Sequence, residues 1–155
     1  MKKKLSTLLL VATMACATFA MPVAAAEPMP NDVHAGTVSM VPFANSSFSG
    51  STRVLNALNG GSSIQSPISS GTVSPDARIT GVTVNATVSS GSASSTLYVR
   101  SPGGKTASRT LGGSSATLNF TEFNTENPSG TWNVWIVTNG TVTTVNARMT
   151  VNYSF

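Results

Sequence analysis

Only one of the 155 residues is cysteine, Cys16, and only one is histidine, His34. A single thiol closes no internal disulfide, and one histidine with one cysteine cannot make the four-ligand set of a structural zinc site. Charged residues are 9% of the chain and aromatic residues 6%, with both tryptophans three positions apart in "TWNVWIV". No Asp-x-Asp-x-Asp run offers the clustered oxygens that calcium takes, although a site using Asp76, backbone carbonyls and a distant glutamate stays open. The longest apolar run, "LLLVATMACATFA", is shorter than the ~20 residues that span a bilayer.

That run follows Lys2, Lys3 and Lys4 and leads to Ala24-Ala25-Ala26, the layout of an export signal over residues 1–26. Cys16 lies inside it behind Thr13-Met14-Ala15, a poor match to a lipoprotein signal, so no membrane anchor is expected after removal. The formal charge of +4 then shrinks. Residues 27–155 carry six basic and five acidic side chains, net +1. Arg53, Arg78, Arg100, Lys105, Arg109 and Arg148 are scattered singly, whereas a nucleic-acid binder gathers its cations on one face. A domain of 129 residues without cysteine must hold together through its core alone.

Serine and threonine supply 40 of those 129 residues, many alternating with valine. β-Branched residues suit a pleated surface, and Ser, Gly and Asn mark turns, so the expected class is all-β. "ITGVTVNATV" alternates Val82, Val84, Ala86 and Val88 against Thr83, Asn85 and Thr87. "TLYVRS" sets Leu97 and Val99 against Tyr98 and Arg100. "ATLNF" turns Leu118 and Phe120 inward. "TWNVWIVT" sets Trp132, Val134 and Ile136 against Asn133, Trp135 and Val137, and "NARMTVNYSF" reads Ala147, Met149, Val151, Tyr153 and Phe155 as one face. Asn139-Gly140 between valine-rich runs signals a type I′ hairpin. Residues 27–62 read as a loosely ordered arm with an edge strand near Val38 to Val41; within it "STRVLNALNGG" fits a helical turn or a short strand equally. Short strands with Gly/Ser turns predict an antiparallel β-sandwich or jelly roll over residues 63–155.

The order of motifs resembles the P domain, or homo B domain, that follows the catalytic domain of kexin- and furin-like proprotein convertases and recurs in exported bacterial proteins. Ser101, Pro102, Gly104 and Thr106 approximate its Ser-Pro-x-Gly-Thr turn. Asn127, Pro128, Gly130, Thr131 and Trp132 match its Asn-Pro-x-Gly-Thr-Trp strand, with Val134 and Ile136 in the next inward positions. "ISSGTVSPDARITGVTVNATV" resembles its opening strands. The resemblance covers about residues 64 to 155. It implies a jelly roll of galactose-binding-like type and a module that supports or accompanies a catalytic domain.

Residues capable of catalysis are sparse. A Ser-His-Asp site must use His34 with Asp32 or Asp76, and His34 sits in a Pro/Gly-bearing arm that gives a base no fixed geometry. Glu122 and Glu126 are a pair that could flank a glycosidic bond; their simpler reading is a solvated loop before Asn127-Pro128. "SPGGKT" lacks the first glycine of a phosphate-binding loop and lies between strands, so it reads as a turn. The expectation is a secreted or cell-wall-associated module for protein interaction or structural support that is not an enzyme and uses no cofactor. Its partner is a protein or a cell-wall polysaccharide, and one form of the protein reading has it act in trans on a secreted protease. Trp132 and Trp135 differ by an odd number and must face opposite ways. With Trp132 in the core beside Leu97 and Val99, Trp135 lies on the outer face, where Tyr98 and Arg100 can join it. Either Val41, Phe43 or Phe48 of the arm covers that face, the preferred reading, or it is a ligand platform.

Overall fold

A computed structural model describes residues 44–155. The expected export signal with Cys16, the strand near Val38 to Val41, and Asp32, His34 and Phe43 lie outside the described residues. Nine strands follow in chain order: β1 (Asn45–Ser51), β2 (Leu55–Leu58), β3 (Ser66–Ser69), β4 (Arg78–Ser90), β5 (Ser95–Arg100), β6 (Thr106–Leu111), β7 (Ala116–Phe120), β8 (Thr131–Thr138) and β9 (Val142–Ser154). All pairings are antiparallel. One sheet runs β1-β9-β4-β7, with β2 also on β9, and the other runs β3-β8-β5-β6.

β1 and β2 pair with successive stretches of β9, from Ser154 to Arg148 and from Val145 to Val142. They are two halves of one interrupted strand. At the break Thr52 stands in for the ladder: its N–H donates to the Ala147 carbonyl at 2.8 Å, and its hydroxyl accepts from the Ala147 N–H at 3.1 Å. Counted as one strand, they give two four-membered sheets whose order, 1-8-3-6 and 2-7-4-5, is jelly-roll wiring. The fold is an antiparallel β-sandwich.

This corrects the boundary drawn at residue 62. Residues 45–58 belong to the sheet, because Leu55 and Ala57 fill core positions with 0% and 1% exposure. Of the two readings of "STRVLNALNGG" the strand is found; Val54 and Leu58, which helical spacing would have put with Leu55, are exposed.

The core lies between the sheets. Leu97, Val99, Trp132, Val134 and Ile136 are fully buried from the four-stranded sheet, facing Val82, Val84, Met149 and Val151 from the other. Phe123, in the loop after β7, meets Trp132 edge to face with centroids 5.3 Å apart and an interplanar angle of 81°. Tyr153 is buried, but Phe155 falls beyond β9 and is exposed, its ring 6.3 Å from that of Tyr153.

Asn139-Gly140 does not form the expected hairpin. β8 and β9 lie in different sheets, and neither turn residue takes a positive φ. The inward side chains of both strands oppose each other across the core instead of lying side by side, so the chain must cross between layers there. Gly140 serves close approach: a Cβ on it would lie 2.4 Å from that of Ala93.

Candidate functional site

The outer face of the four-stranded sheet gathers the three residues singled out by alternation. Tyr98 on β5 and Trp135 on β8 are register partners. Their rings stack at 5.2 Å between centroids and 7° between planes, and the Arg100 guanidinium lies over the indole at 5.5 Å. Directly opposed side chains on one sheet face are close enough for this contact, and the diagonal neighbour is within reach of a long arginine. Arg100 Nε also donates to Thr106 Oγ1 on β6 at 3.4 Å. Tyr98 and Trp135 are half-buried and Arg100 is exposed.

Apolar surface continues beside the stack. Val137 is half-buried and bridges to Ser62. Two residues on, Ile64 is 64% exposed, the most exposed large hydrophobic residue described. Phe48 does not cover Trp135: it lies in the other sheet opposite Val151, packs on the core and touches Tyr153 at 6.4 Å. Val41 and Phe43 lie outside the described residues.

The two turns that carry the P-domain resemblance meet at one end of the sandwich. Asn127 Nδ2 donates to the carbonyls of Ser74, Pro75 and Ala77, and its Oδ1 accepts from the Ser129 N–H at 2.9 Å. Gly130 N–H donates to Ser70 Oγ at 2.9 Å, and Trp132 Nε1 donates to the Pro128 carbonyl at 3.1 Å. Asn127, Pro128, Gly130 and Trp132 thus each have a structural task. In "SPGGKT" the Ser101 N–H donates to the Lys105 carbonyl and the Gly104 N–H to that of Ser101, both at 2.9 Å, closing a turn between antiparallel strands. Pro102, Gly103, Glu126, Asn127 and Ser129 line a shallow depression of about 480 Å³ between the turns.

The two glutamates are each engaged by a cation. Glu122 receives both guanidinium nitrogens of Arg109, at 2.6 and 2.9 Å, while Arg109 Nε donates to the Asn119 carbonyl and its guanidinium lies 4.7 Å from the centre of the Phe120 ring. Arg109 on β6 thereby fastens the edge of one sheet to β7 at the edge of the other. Lys105 donates to the Glu122 carbonyl and sits 3.6 Å from Glu126. Sequence reading missed both pairs, because the partners are thirteen and twenty-one positions apart and meet only through the sandwich. No group of three or more His, Cys, Asp or Glu side chains is placed to hold a metal among the described residues.

The Arg109 hydrogen bonds hold the Glu122 carboxyl below its ordinary pKa, partly offset by desolvation. A carboxyl lowered in the folded state contributes stability above its unfolded pKa, about 4.3, and that contribution disappears as pH falls through the folded value. Glu122→Gln should therefore be less stable than wild type at pH 7, with the difference closing as pH drops below about 4. Urea midpoints from pH 3 to 7 check this; a gap that stays constant with pH contradicts it. Both side chains are about one-third exposed, 34% and 38%, so salt should shrink the gap.

Neither a protein-family model nor a curated protein matches the chain. Among solved structures, a family two carbohydrate esterase from Cellvibrio japonicus is similar at 12% identity and a TM-score of 0.35, over 72% of this chain. The alignment spans 35% of the esterase, and a likeness that faint carries no argument about chemistry.

Proposed function

We propose that the chain is an exported, non-catalytic, P-domain-like jelly-roll module that binds a protein partner at the cell surface or in the secreted milieu through the outer face of its four-stranded sheet. The observation that carries this is the Tyr98–Trp135 stack with Arg100 over it, bordered by Val137 and the exposed Ile64. Tryptophan, tyrosine and arginine are the residues that dominate binding energy at protein interfaces, and a rigid aromatic plane beside apolar surface on a Ser/Thr-rich domain suits that use. The P-domain motifs support the reading, since a module of that kind accompanies another protein.

The rival is a carbohydrate-binding module that stacks sugars on these aromatics. Such stacking needs an open ring face, whereas the Trp135 ring is engaged by Tyr98 and Arg100 within the protein. Immobilised protein can be exposed separately to the secreted and surface proteins of the producing cell and to its wall polysaccharide. The expected result is a defined protein partner whose affinity falls roughly thirtyfold in Trp135→Ala, with stability reduced by only about 1 kcal/mol from the lost stacking. Polysaccharide retention that disappears in Trp135→Ala overturns the reading in favour of the sugar platform.

A further inference from the structure

The outer face of the five-stranded sheet is built of small polar side chains in rows that cross the strands. Ser51, Arg148, Asn85 and Thr117 are successive register partners from β1 through β9 and β4 to β7. The adjacent row is Ser49, Thr150, Thr83 and Asn119, and it is bonded in pairs throughout, with only the Asn119 amide hydrogens left over: the Ser49 and Thr150 hydroxyls are bonded at 2.8 Å, and Thr83 donates to Asn119 Oδ1 at 3.0 Å. The Arg148 row is not. Its one side-chain bond runs from Thr117 to Asn85 Oδ1 at 2.7 Å, which leaves the Asn85 amide hydrogens, the Ser51 hydroxyl and the Arg148 guanidinium without partners among the described residues. On its other side Asn146 is the register partner of Thr87 and donates to Ser89 Oγ at 2.9 Å, keeping its own amide oxygen free to accept.

Relief follows the unsatisfied groups. A depression of about 290 Å³ includes Ser51, Thr52, Asn146, Arg148, Asn85 and Thr87, and a second of about 310 Å³ extends from Asn85 and Thr87 to Thr117. They share Asn85 and Thr87, so together they make one track across the strands. Four strands at ~4.8 Å spacing give it a length of about 14 Å. Alanines are the only apolar residues lining it.

Charge points the same way. The described acids are Asp76, Glu122 and Glu126; none lines the track, and the two glutamates are held by Arg109 and Lys105. Among the described residues Arg148 is a cation with no counter-charge on its face.

We propose that this track binds an extended polysaccharide bearing uronate groups, with the Arg148 guanidinium taking the carboxylate and Asn85, Thr87, Asn146 and Ser51 bonding the sugar hydroxyls. A planar guanidinium matches a planar carboxylate through two parallel hydrogen bonds. Short hydroxyl and amide groups that both donate and accept suit a chain of ring hydroxyls, while a track without large apolar side chains gives a peptide no anchor. The site lies on the sheet opposite to the Trp135 face and stands independently of the protein-binding reading; both together would let one module bridge a protein to an acidic glycan.

Affinity electrophoresis of the full chain through gels containing polygalacturonate, dextran or dextran sulfate tests the proposal. Polygalacturonate should retard the protein and dextran should not. Arg148→Gln should weaken retardation by roughly ten- to a hundredfold and Asn85→Ala by roughly three- to tenfold. Both positions are exposed, so melting temperatures should stay at the wild-type value, which separates loss of binding from loss of fold. No retardation of wild type by polygalacturonate, equal retardation of Arg148→Gln, or equal retardation by neutral dextran overturns the site. Dextran sulfate holding the protein as strongly, and through Arg148, overturns the carboxylate assignment.

Discussion

Trp132→Ala is expected to destabilise the fold by about 3–5 kcal/mol, the range for removing a fully buried large aromatic. Trp132 has 0% exposure and ends the aromatic line Phe120–Phe123–Trp132, whose successive centroids are 6.1 and 5.3 Å apart. Phe123 belongs to a loop, and its edge-to-face contact with Trp132 joins the Thr125 and Glu126 backbone bonds to Ile79 in holding that loop onto the core. The indole N–H also closes the turn at Pro128, so truncation leaves a cavity, an unpaired carbonyl and a loosened loop. For a domain of this size the melting temperature should fall by more than about ten degrees. Trp132→Phe keeps most of the volume and loses the hydrogen bond, and should cost about half as much or less. A Trp132→Ala variant melting within about two degrees of wild type would show that the inward face of β8 is not where this core is made.

What the chain discloses about itself divides along a physical line. Alternation along one strand is local: a residue and its second neighbour share a face whatever lies beyond. Trp132, Val134 and Ile136 read as one face from the sequence, and each has 0% exposure in the structure. The same parity sends Trp135 outward. Which strands become neighbours is not local. The stack of Tyr98 on Trp135 depends on β5 pairing with β8 in one register, and a slip by one residue would send every side chain of the strand to the other face. Asn139-Gly140 shows the opposite failure. Its composition suits a hairpin, but burying two apolar strand faces against each other outweighs a local turn preference, so the chain crosses between sheets. Leu55 and Ala57 were hidden by the Pro, Gly and Ser around them, since β1 and β2 borrow their regularity from the long strand β9. The polar rows around Arg148 consist of residues that, taken singly, look like ordinary solvated strand positions; only the register across four strands lines them up.

Gly130→Ala is expected to cost about 2–4 kcal/mol, from a strained backbone and a steric clash together. Gly130 has φ of 124°, a region that residues with a side chain rarely occupy. A Cβ placed there would lie 2.9 Å from Pro102 Cβ and 3.3 Å from its Cγ. Neither atom can swing aside, because the proline ring is fixed to its backbone and the Ser101-to-Gly104 turn is closed by its own hydrogen bonds. Gly130 is fixed too: its N–H donates to Ser70 Oγ, and its carbonyl accepts from the Ser70 N–H at 3.0 Å. The glycine of the Asn-Pro-x-Gly-Thr-Trp segment and the proline of the Ser-Pro turn therefore require each other. A double-mutant cycle separates the two costs. Pro102→Gly removes the clashing ring, so Gly130→Ala on that background should lose only the backbone share, about 1–2 kcal/mol. If Gly130→Ala costs the same with and without Pro102, the turns are not in contact and the strain lies in φ alone. If it melts with wild type, this end of the sandwich is looser than its hydrogen bonds indicate.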